Sequence, residues 1–129
     1  MTNIAQPAPA PIDGVTLRRT LGINGTRFSA VLDGEAIAYI EVETLERNER
    51  QPRGGGWADI GNLQVDAAYR RQGVATWLLA HAVEWLRLAH VDRLVGYTWP
   101  EEEAGVSFLE RAGFRELTRT ERGWTREPE

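Results

Sequence analysis

The chain has 129 residues, of which 42% are hydrophobic and 26% charged, with a formal net charge of -4 and no cysteine. This length supports one domain with a real core and is too short for two of ordinary size. An acidic balance argues against bulk nucleic-acid binding, and the missing cysteines exclude disulfides, thiolate metal ligands and a cysteine nucleophile. No stretch is apolar enough to span a bilayer and no secretory signal is evident, so we expect a cytoplasmic protein without a membrane partner.

The first half of the chain predicts a short tail followed by β-structure. Residues 1–14 alternate proline with alanine and hold few large apolar side chains, so we expect an extended tail there and a single domain over residues 15–129. Residues 15–20 alternate weakly and suggest a first strand. Two β-rich runs then flank Asp33-Gly34, a dipeptide favoured in tight hairpin turns because both central residues take positive φ.

The second half predicts two helices separated by a strand. The elements in order are a strand over residues 57–65, a helix over 72–90, a strand over 92–99, a helix that starts after Pro100 and ends at Gly113, and a hairpin over 114–127. Gly61, inside an otherwise β-prone run, indicates a bulge or a close backbone approach. The predicted fold class is α/β of the α+β type: a mixed, mostly antiparallel central sheet of about seven strands with two main helices.

The motif YRRQGVAT, residues 69–76, lies where the fourth strand gives way to the long helix. A helix N-terminus carries unpaired NH groups and partial positive charge, so it binds anions and phosphates above all. Gly73 leaves the backbone open to a ligand, and Arg70 and Arg71 add charge-assisted donors. The pattern therefore predicts a site that suits two consecutive phosphates.

This stretch resembles the acyl-CoA pyrophosphate signature of the GNAT superfamily of N-acyltransferases, with Arg70, Gly73 and Ala75 in its three defining places. The downstream FLERAGF is similar to that family's second motif, a helix that ends in Gly113-Phe114. The resemblance covers residues 15–124 and identifies a short form without the usual helices between the first and second strands. It implies the acyl-CoA N-acyltransferase fold, acetyl-CoA as cosubstrate, and direct transfer to a primary amine through a ternary complex.

The resemblance also implies where the cosubstrate lies. Acyl-CoA is expected in the splay between the fourth strand (residues 59–65) and the fifth strand (residues 92–99), with its pyrophosphate on the NH groups of residues 71–76. The backbone around Leu63 and Val65 would bind the pantetheine arm and polarise the thioester carbonyl. The expected cofactor-binding residues are Leu63, Gln64, Val65, Arg70, Arg71, Gln72, Gly73, Val74, Ala75 and Thr76.

Transfer to an amine also needs a base, because an ammonium group cannot attack a thioester. Asp59 is the first candidate, since counting back from Arg70 it takes the place of the glutamate base in histone-acetylating relatives. Glu41 and Glu43, on the neighbouring strand, are the alternatives. Together the three carboxylates would form an acidic floor that attracts a cationic amine.

Two positions depart from the family pattern. Leu109 stands where many members have a tyrosine that protonates the leaving thiolate, and Glu102 stands where an asparagine usually contacts the pantetheine arm. These departures favour an alternative function, a CoA-binding regulatory module with little or no catalysis. No histidine, aspartate and glutamate cluster has metal-ligand spacing, so we expect no metal.

The acceptor side is the less defined half of the predicted site. Without the usual helices the acceptor site should be open, which suits a peptide or protein amine, unless a partner subunit closes it. The other possible acceptor class is a small-molecule amine. A homodimer is possible because this fold leaves sheet edges available.

Overall fold

The computed structural model describes residues 9–22, 25–45, 56–97, 102–115 and 124–126. Within them six strands form one sheet in the order of the chain. The strands are β1 (Thr16–Leu21), β2 (Thr26–Leu32), β3 (Glu35–Leu45), β4 (Gly56–Val65), β5 (Val91–Gly96) and β6 (Trp124–Arg126), and the helices are α1 (Val74–Leu88) and α2 (Glu103–Arg111). Neighbouring strands are antiparallel except for the parallel pair β4 and β5, which α1 connects.

These elements confirm the predicted mixed, mostly antiparallel sheet with two main helices. The described residues hold six strands where about seven were predicted, and Arg115 makes an isolated bridge. Residues 116–123, which include the first strand of the predicted closing hairpin, lie outside the described residues, as do residues 1–8 of the predicted tail. No helix among the described residues is long and apolar enough to cross a bilayer.

The turn between β2 and β3 is the predicted tight hairpin. Asp33 and Gly34 have φ of 52° and 82°, the positive values that a two-residue turn of this type requires. The turn fixes the register of the long strand β3 against β2, in which Arg27 lies opposite Glu41 and Ser29 opposite Tyr39. The side chains of such opposite pairs emerge on the same face of the sheet.

The strand β4 contains the predicted bulge at Gly61. Along the β3–β4 ladder Glu41 pairs with Asn62 and Val42 with Ile60, so Gly61 is the extra residue. An extra residue bends its strand and increases the local twist. The parallel pairing of β4 with β5 stops just before this point, since its last partners are Asp59 and Val95. Beyond Asp59 the two strands therefore diverge.

Both helices pack on the same face of the sheet, which we call the helix face. The indole of Trp85 on α1 meets the ring of Phe28 on β2 edge to face, with the centroids 5.7 Å apart. On α2, Leu109 approaches Gly96 of β5 so closely that a Cβ there would lie 3.1 Å from its Cδ2. The alternation of side chains along each strand sends Arg27, Tyr39, Glu41, Glu43, Asp59 and Asn62 to the other side, which we call the polar face.

A buried ion pair lies in the middle of the polar face. The carboxylate of Glu41, only 2% exposed, accepts hydrogen bonds from Nε and Nη2 of Arg27 at 2.8 and 2.7 Å. The guanidinium of Arg27 also lies 3.9 Å above the centre of the Tyr39 ring, and the Tyr39 hydroxyl accepts a hydrogen bond from Nδ2 of Asn62 at 3.1 Å. These contacts tie β2, β3 and β4 together beside the bulge.

Gly22 is required for this ion pair, because a Cβ at that position would collide with the carboxylate of Glu41. The carboxylate has no room to move, since it is buried and held by Arg27. Gly22→Ala is therefore expected to lower the free energy of unfolding by about 1–3 kcal/mol, the usual cost of forced overpacking. Gly56→Ala is the matched control, because nothing lies within 4 Å of its added Cβ. Chemical denaturation of the two variants measures the difference, and equal stabilities would contradict the close approach.

Candidate functional site

A groove of about 880 Å³ opens between the end of β4, the start of α1 and the outer side of α2. Its walls are backbone and side chains from all three elements, with three arginines among them. The lining residues are Leu63, Gln64, Val65, Tyr69, Arg70, Arg71, Gly73, Val74, Ala75, Thr76, Glu102, Ala104, Gly105, Ser107, Phe108 and Arg111. A volume of this size is that of a typical small-molecule site.

The start of α1 forms the floor of the groove. Gly73 is the N-cap with φ of 85°, and no side chain caps the first turn. Glycine favours this left-handed conformation because it has no Cβ. A Cβ added there would meet Pro11 at an ordinary distance of 3.7 Å, so steric contact with the described residues does not by itself require the glycine. The open approach for a ligand at Gly73 stays a prediction. The uncapped NH groups of the first turn give this end of the groove partial positive charge.

The arginines of the groove differ in their contacts. Nε of Arg70 donates a hydrogen bond to the carbonyl of Val65 at 3.0 Å, which fastens the turn before α1 to the end of β4. Arg71 is exposed and has φ of 63°. Nη1 of Arg111, on α2, donates a hydrogen bond to Oγ of Ser107 at 2.8 Å. Three guanidinium groups around one helix N-terminus suit an anion with several negative charges.

The groove contains every residue predicted for cofactor binding except Gln72. The side chain of Gln72 instead donates a hydrogen bond to the carbonyl of Ala68 at 3.2 Å. The α2 side of the groove, above all Arg111, was not predicted from the sequence. The sequence feature that could have indicated it is helical spacing, since residues 104, 107, 108 and 111 fall on one side of a helix.

The three predicted bases lie outside this groove, on the polar face. Asp59 belongs to the last β4–β5 pair, at the apex where the two strands diverge. It lies four residues before Leu63, roughly 13 Å along the strand at about 3.3 Å per residue. Glu43 lies directly opposite Asp59 on β3, and Glu41 is two residues further back along β3. The structure therefore brings all three together but gives each a different environment.

Among the three predicted bases, all of them within the described residues, Asp59 alone has a buried oxygen without a hydrogen-bond partner. Its Oδ1 is buried without a hydrogen-bond partner, whereas the carboxylate of Glu41 is neutralised by Arg27 and that of Glu43 is exposed. Burial raises the pKa of Asp59, and the neighbouring charge of Glu43 raises it further, against a smaller opposing effect of a backbone hydrogen bond. A carboxylate in this state holds a proton more readily than one in water.

The two departures from the family pattern lie on α2. Leu109 is 5% exposed and belongs to the hydrophobic core with Phe114, so its position faces the sheet and not the groove. Glu102 is the N-cap residue of α2 and lines the groove. Among the described residues, no group of three or more histidine, aspartate and glutamate side chains is placed to hold a metal ion.

The model of the acetyltransferase (GNAT) family matches residues 5–114, and the chain therefore belongs to this family. Similar solved structures include the ribosomal-protein-S18-alanine N-acetyltransferase from Escherichia coli, with 25% identity and a TM-score of 0.62 over 75% of this chain and 57% of that one. AAC(6')-Iy in complex with a bisubstrate analogue has 22% identity and a TM-score of 0.65, over 74% of this chain and 65% of that one.

A third similar structure is a GNAT family acetyltransferase from Elizabethkingia anophelis with acetyl-CoA bound. Its identity is 15% and its TM-score 0.67, over 83% of this chain and 80% of that one. The likenesses at 15% and 22% identity show a shared fold. The chain spans less than two thirds of the length of the first two structures.

Asp59→Asn should make the protein more stable at neutral pH, because it removes a partly buried charge without a partner. The raised pKa means that the folded state binds the proton more strongly than the unfolded state, so ionised Asp59 destabilises the fold above its folded pKa. The gain should disappear as the pH falls below 3.8, the ordinary value at which the unfolded chain is also protonated. Thermal unfolding of both proteins from pH 3 to pH 8 measures this. A variant less stable than wild type at pH 7 would identify Asp59 as a structural residue.

Proposed function

We propose that this protein is an N-acetyltransferase that moves an acetyl group from acetyl-CoA directly to a primary amine. One observation carries the proposal: β4 and β5 stop pairing at Asp59 and Val95, and the arginine-lined groove opens beyond that point. A carboxylate with an unpartnered oxygen stands at the apex of the divergence, where an acceptor and a donor can meet. Membership of the acetyltransferase family supports the same reading.

The groove is the proposed donor site. The NH groups at the start of α1 and the guanidinium groups of Arg71 and Arg111 suit the pyrophosphate of acetyl-CoA. Leu63 and Val65 lie beyond the last β4–β5 pair, so their backbone groups on that side can bind the amide groups of the pantetheine arm as a neighbouring strand would. The same backbone is proposed to polarise the thioester carbonyl.

The polar face is the proposed acceptor side, with Asp59 as the base. Its carboxylate takes a proton from the acceptor ammonium, directly or through water, and the freed lone pair of nitrogen forms a bond to the thioester carbonyl carbon. The nitrogen then loses its second proton to water, the carbon–sulfur bond breaks, and the thiolate leaves and is protonated by solvent. The net reaction releases one proton to solvent. The chain itself forms no covalent bond to the acetyl group.

The acceptor is a peptide, protein or small-molecule amine. Both described helices pack on the helix face, so the polar face is accessible from the side on which Glu43 is exposed. Two of the similar structures carry such acceptors in their names, one a ribosomal-protein alanine and the other an acetylneamine analogue. The carboxylates of Asp59 and Glu43 favour a cationic amine in either class.

Removal of a groove arginine should weaken acetyl-CoA binding. Arg71→Ala and Arg111→Ala are each expected to raise the Kd on the order of tenfold, because each deletes a charge-assisted interaction with phosphate. Arg87→Ala is the matched control, since Arg87 lies in the last turn of the same α1 helix, away from the groove, and forms an i,i+3 ion pair with Glu84. Isothermal titration with acetyl-CoA measures all four proteins. Unchanged affinity in both groove variants would place the pyrophosphate elsewhere.

Asp59→Asn should lower kcat by about 10²- to 10⁴-fold, the usual contribution of a positioned base, and leave the Kd for acetyl-CoA unchanged. Asp66→Asn is the control, because it makes the same chemical change at an exposed position just after β4. Thiol release with a panel of peptide and small amines measures turnover. Tight acetyl-CoA binding without thiol release in the presence of any amine would instead support the alternative function, a CoA-binding regulatory module. The observation behind that alternative is the buried Leu109 at the position where an acid is expected.

A further inference from the structure

Two carboxylates face each other across β3 and β4 at the apex of the divergence. Glu43 and Asp59 are direct partners in the antiparallel ladder, so their side chains emerge on the polar face with Cβ atoms roughly 5 Å apart. Glu43 is exposed, whereas Asp59 is half-buried and its Oδ1 is buried without a partner. The pair therefore combines a solvated charge with a desolvated one.

Neighbouring charges do not neutralise this pair. The next acid along β3, Glu41, is bound to Arg27 from β2. On β5, Val95 lies opposite Asp59, and the guanidinium of Arg93 stacks 4.7 Å from the centre of the Trp57 ring. In the described part of the chain neither Asp59 nor Glu43 belongs to an ion pair.

We propose that Glu43 is a positioning residue that acts through Asp59 and keeps this carboxylate ready to accept a proton from the acceptor ammonium at near-neutral pH. The inference rests on the proposed function and assigns different roles to three acids that look alike in the sequence. Asp59 takes the proton, Glu43 strengthens its affinity for that proton, and Glu41 anchors Arg27.

The physical reason is repulsion between like charges. When both carboxylates are ionised they repel each other, and protonation of one relieves the repulsion. Asp59 takes the proton because burial already disfavours its charge, whereas Glu43 is hydrated. The proton leaves the ammonium nitrogen for a carboxylate oxygen of Asp59, while the N–H electron pair stays on nitrogen for the attack. Glu43 exchanges no proton or electron pair in this step and acts by its charge.

Glu43→Gln tests the inference because it removes the charge and keeps the size. The acid limb of the kcat/KM profile should move to lower pH by at least about 0.6 unit, the size expected for like charges roughly 5 Å apart even with the full screening of bulk water. The Kd for acetyl-CoA should not change. Glu35→Gln is the control, since Glu35 is exposed at the other end of the same strand and its loss should leave the profile in place.

A second measurement does not depend on activity. The carbon-13 signal of the Asp59 carboxyl group, followed by NMR in the free protein, should titrate at lower pH in Glu43→Gln than in wild type. In Glu35→Gln it should titrate at the same pH as in wild type. Identical titrations in wild type and Glu43→Gln would overturn the role of Glu43. If the wild-type protein transferred no acetyl group to any amine, that result would contradict the proposed function instead. If the wild type were active but the kcat/KM pH profile of Glu43→Gln were the same as that of wild type, only the role of Glu43 would be contradicted.

Discussion

The extra residue at Gly61 is the constraint on which the donor and acceptor sides both depend. Along its length β4 keeps its ladder with β3, but its pairing with β5 ends at Asp59. A bulge bends the strand at that position, so the backbone that follows has hydrogen-bonding groups directed at a gap and not at a partner strand. The gap leads to the start of α1, and its apex is occupied by Asp59.

The groove and the polar face differ in their charges. Arg70, Arg71 and Arg111 line the groove with one acid, Glu102, while Glu41, Glu43 and Asp59 lie on the polar face with Arg27. Among these three acids Glu41 is paired with Arg27 and Glu43 is exposed, so Asp59 alone has a buried carboxylate oxygen, Oδ1, without a hydrogen-bond partner. Such an arrangement lowers stability, and natural proteins retain destabilising features of this kind where function needs them. This buried oxygen without a hydrogen-bond partner, and not merely the presence of an acid, distinguishes Asp59 from Glu41 and Glu43.

Local chemistry predicted much of this architecture. The Asp33-Gly34 turn, the bulge at Gly61 and the end of α2 at Gly113 each follow from what one or two residues do to the backbone. Most groove residues between Leu63 and Thr76 were also predictable because they lie close together along the chain. The Arg27–Glu41 pair was not, since it joins residues 14 positions apart through a register that the whole sheet sets. The contribution of Arg111 to the groove was not predicted for a similar reason. Sequence spacing shows which residues share a side of α2, but tertiary packing determines which part of the protein that side faces.

The buried Leu109 is compatible with catalysis when the two proton transfers are compared. At pH 7 a thiol with pKa of roughly 8.5 leaves as thiolate only about 1.5 units below its pKa, whereas a lysine-like amine must lose its proton about 3.4 units below a pKa near 10.4. Each unit is worth about 1.4 kcal/mol, so deprotonation of the amine is the harder step by roughly 2.6 kcal/mol. Leu109 fills the core against β5 at the position where an acid would serve the easier step. We propose that the acids of the polar face serve the harder one.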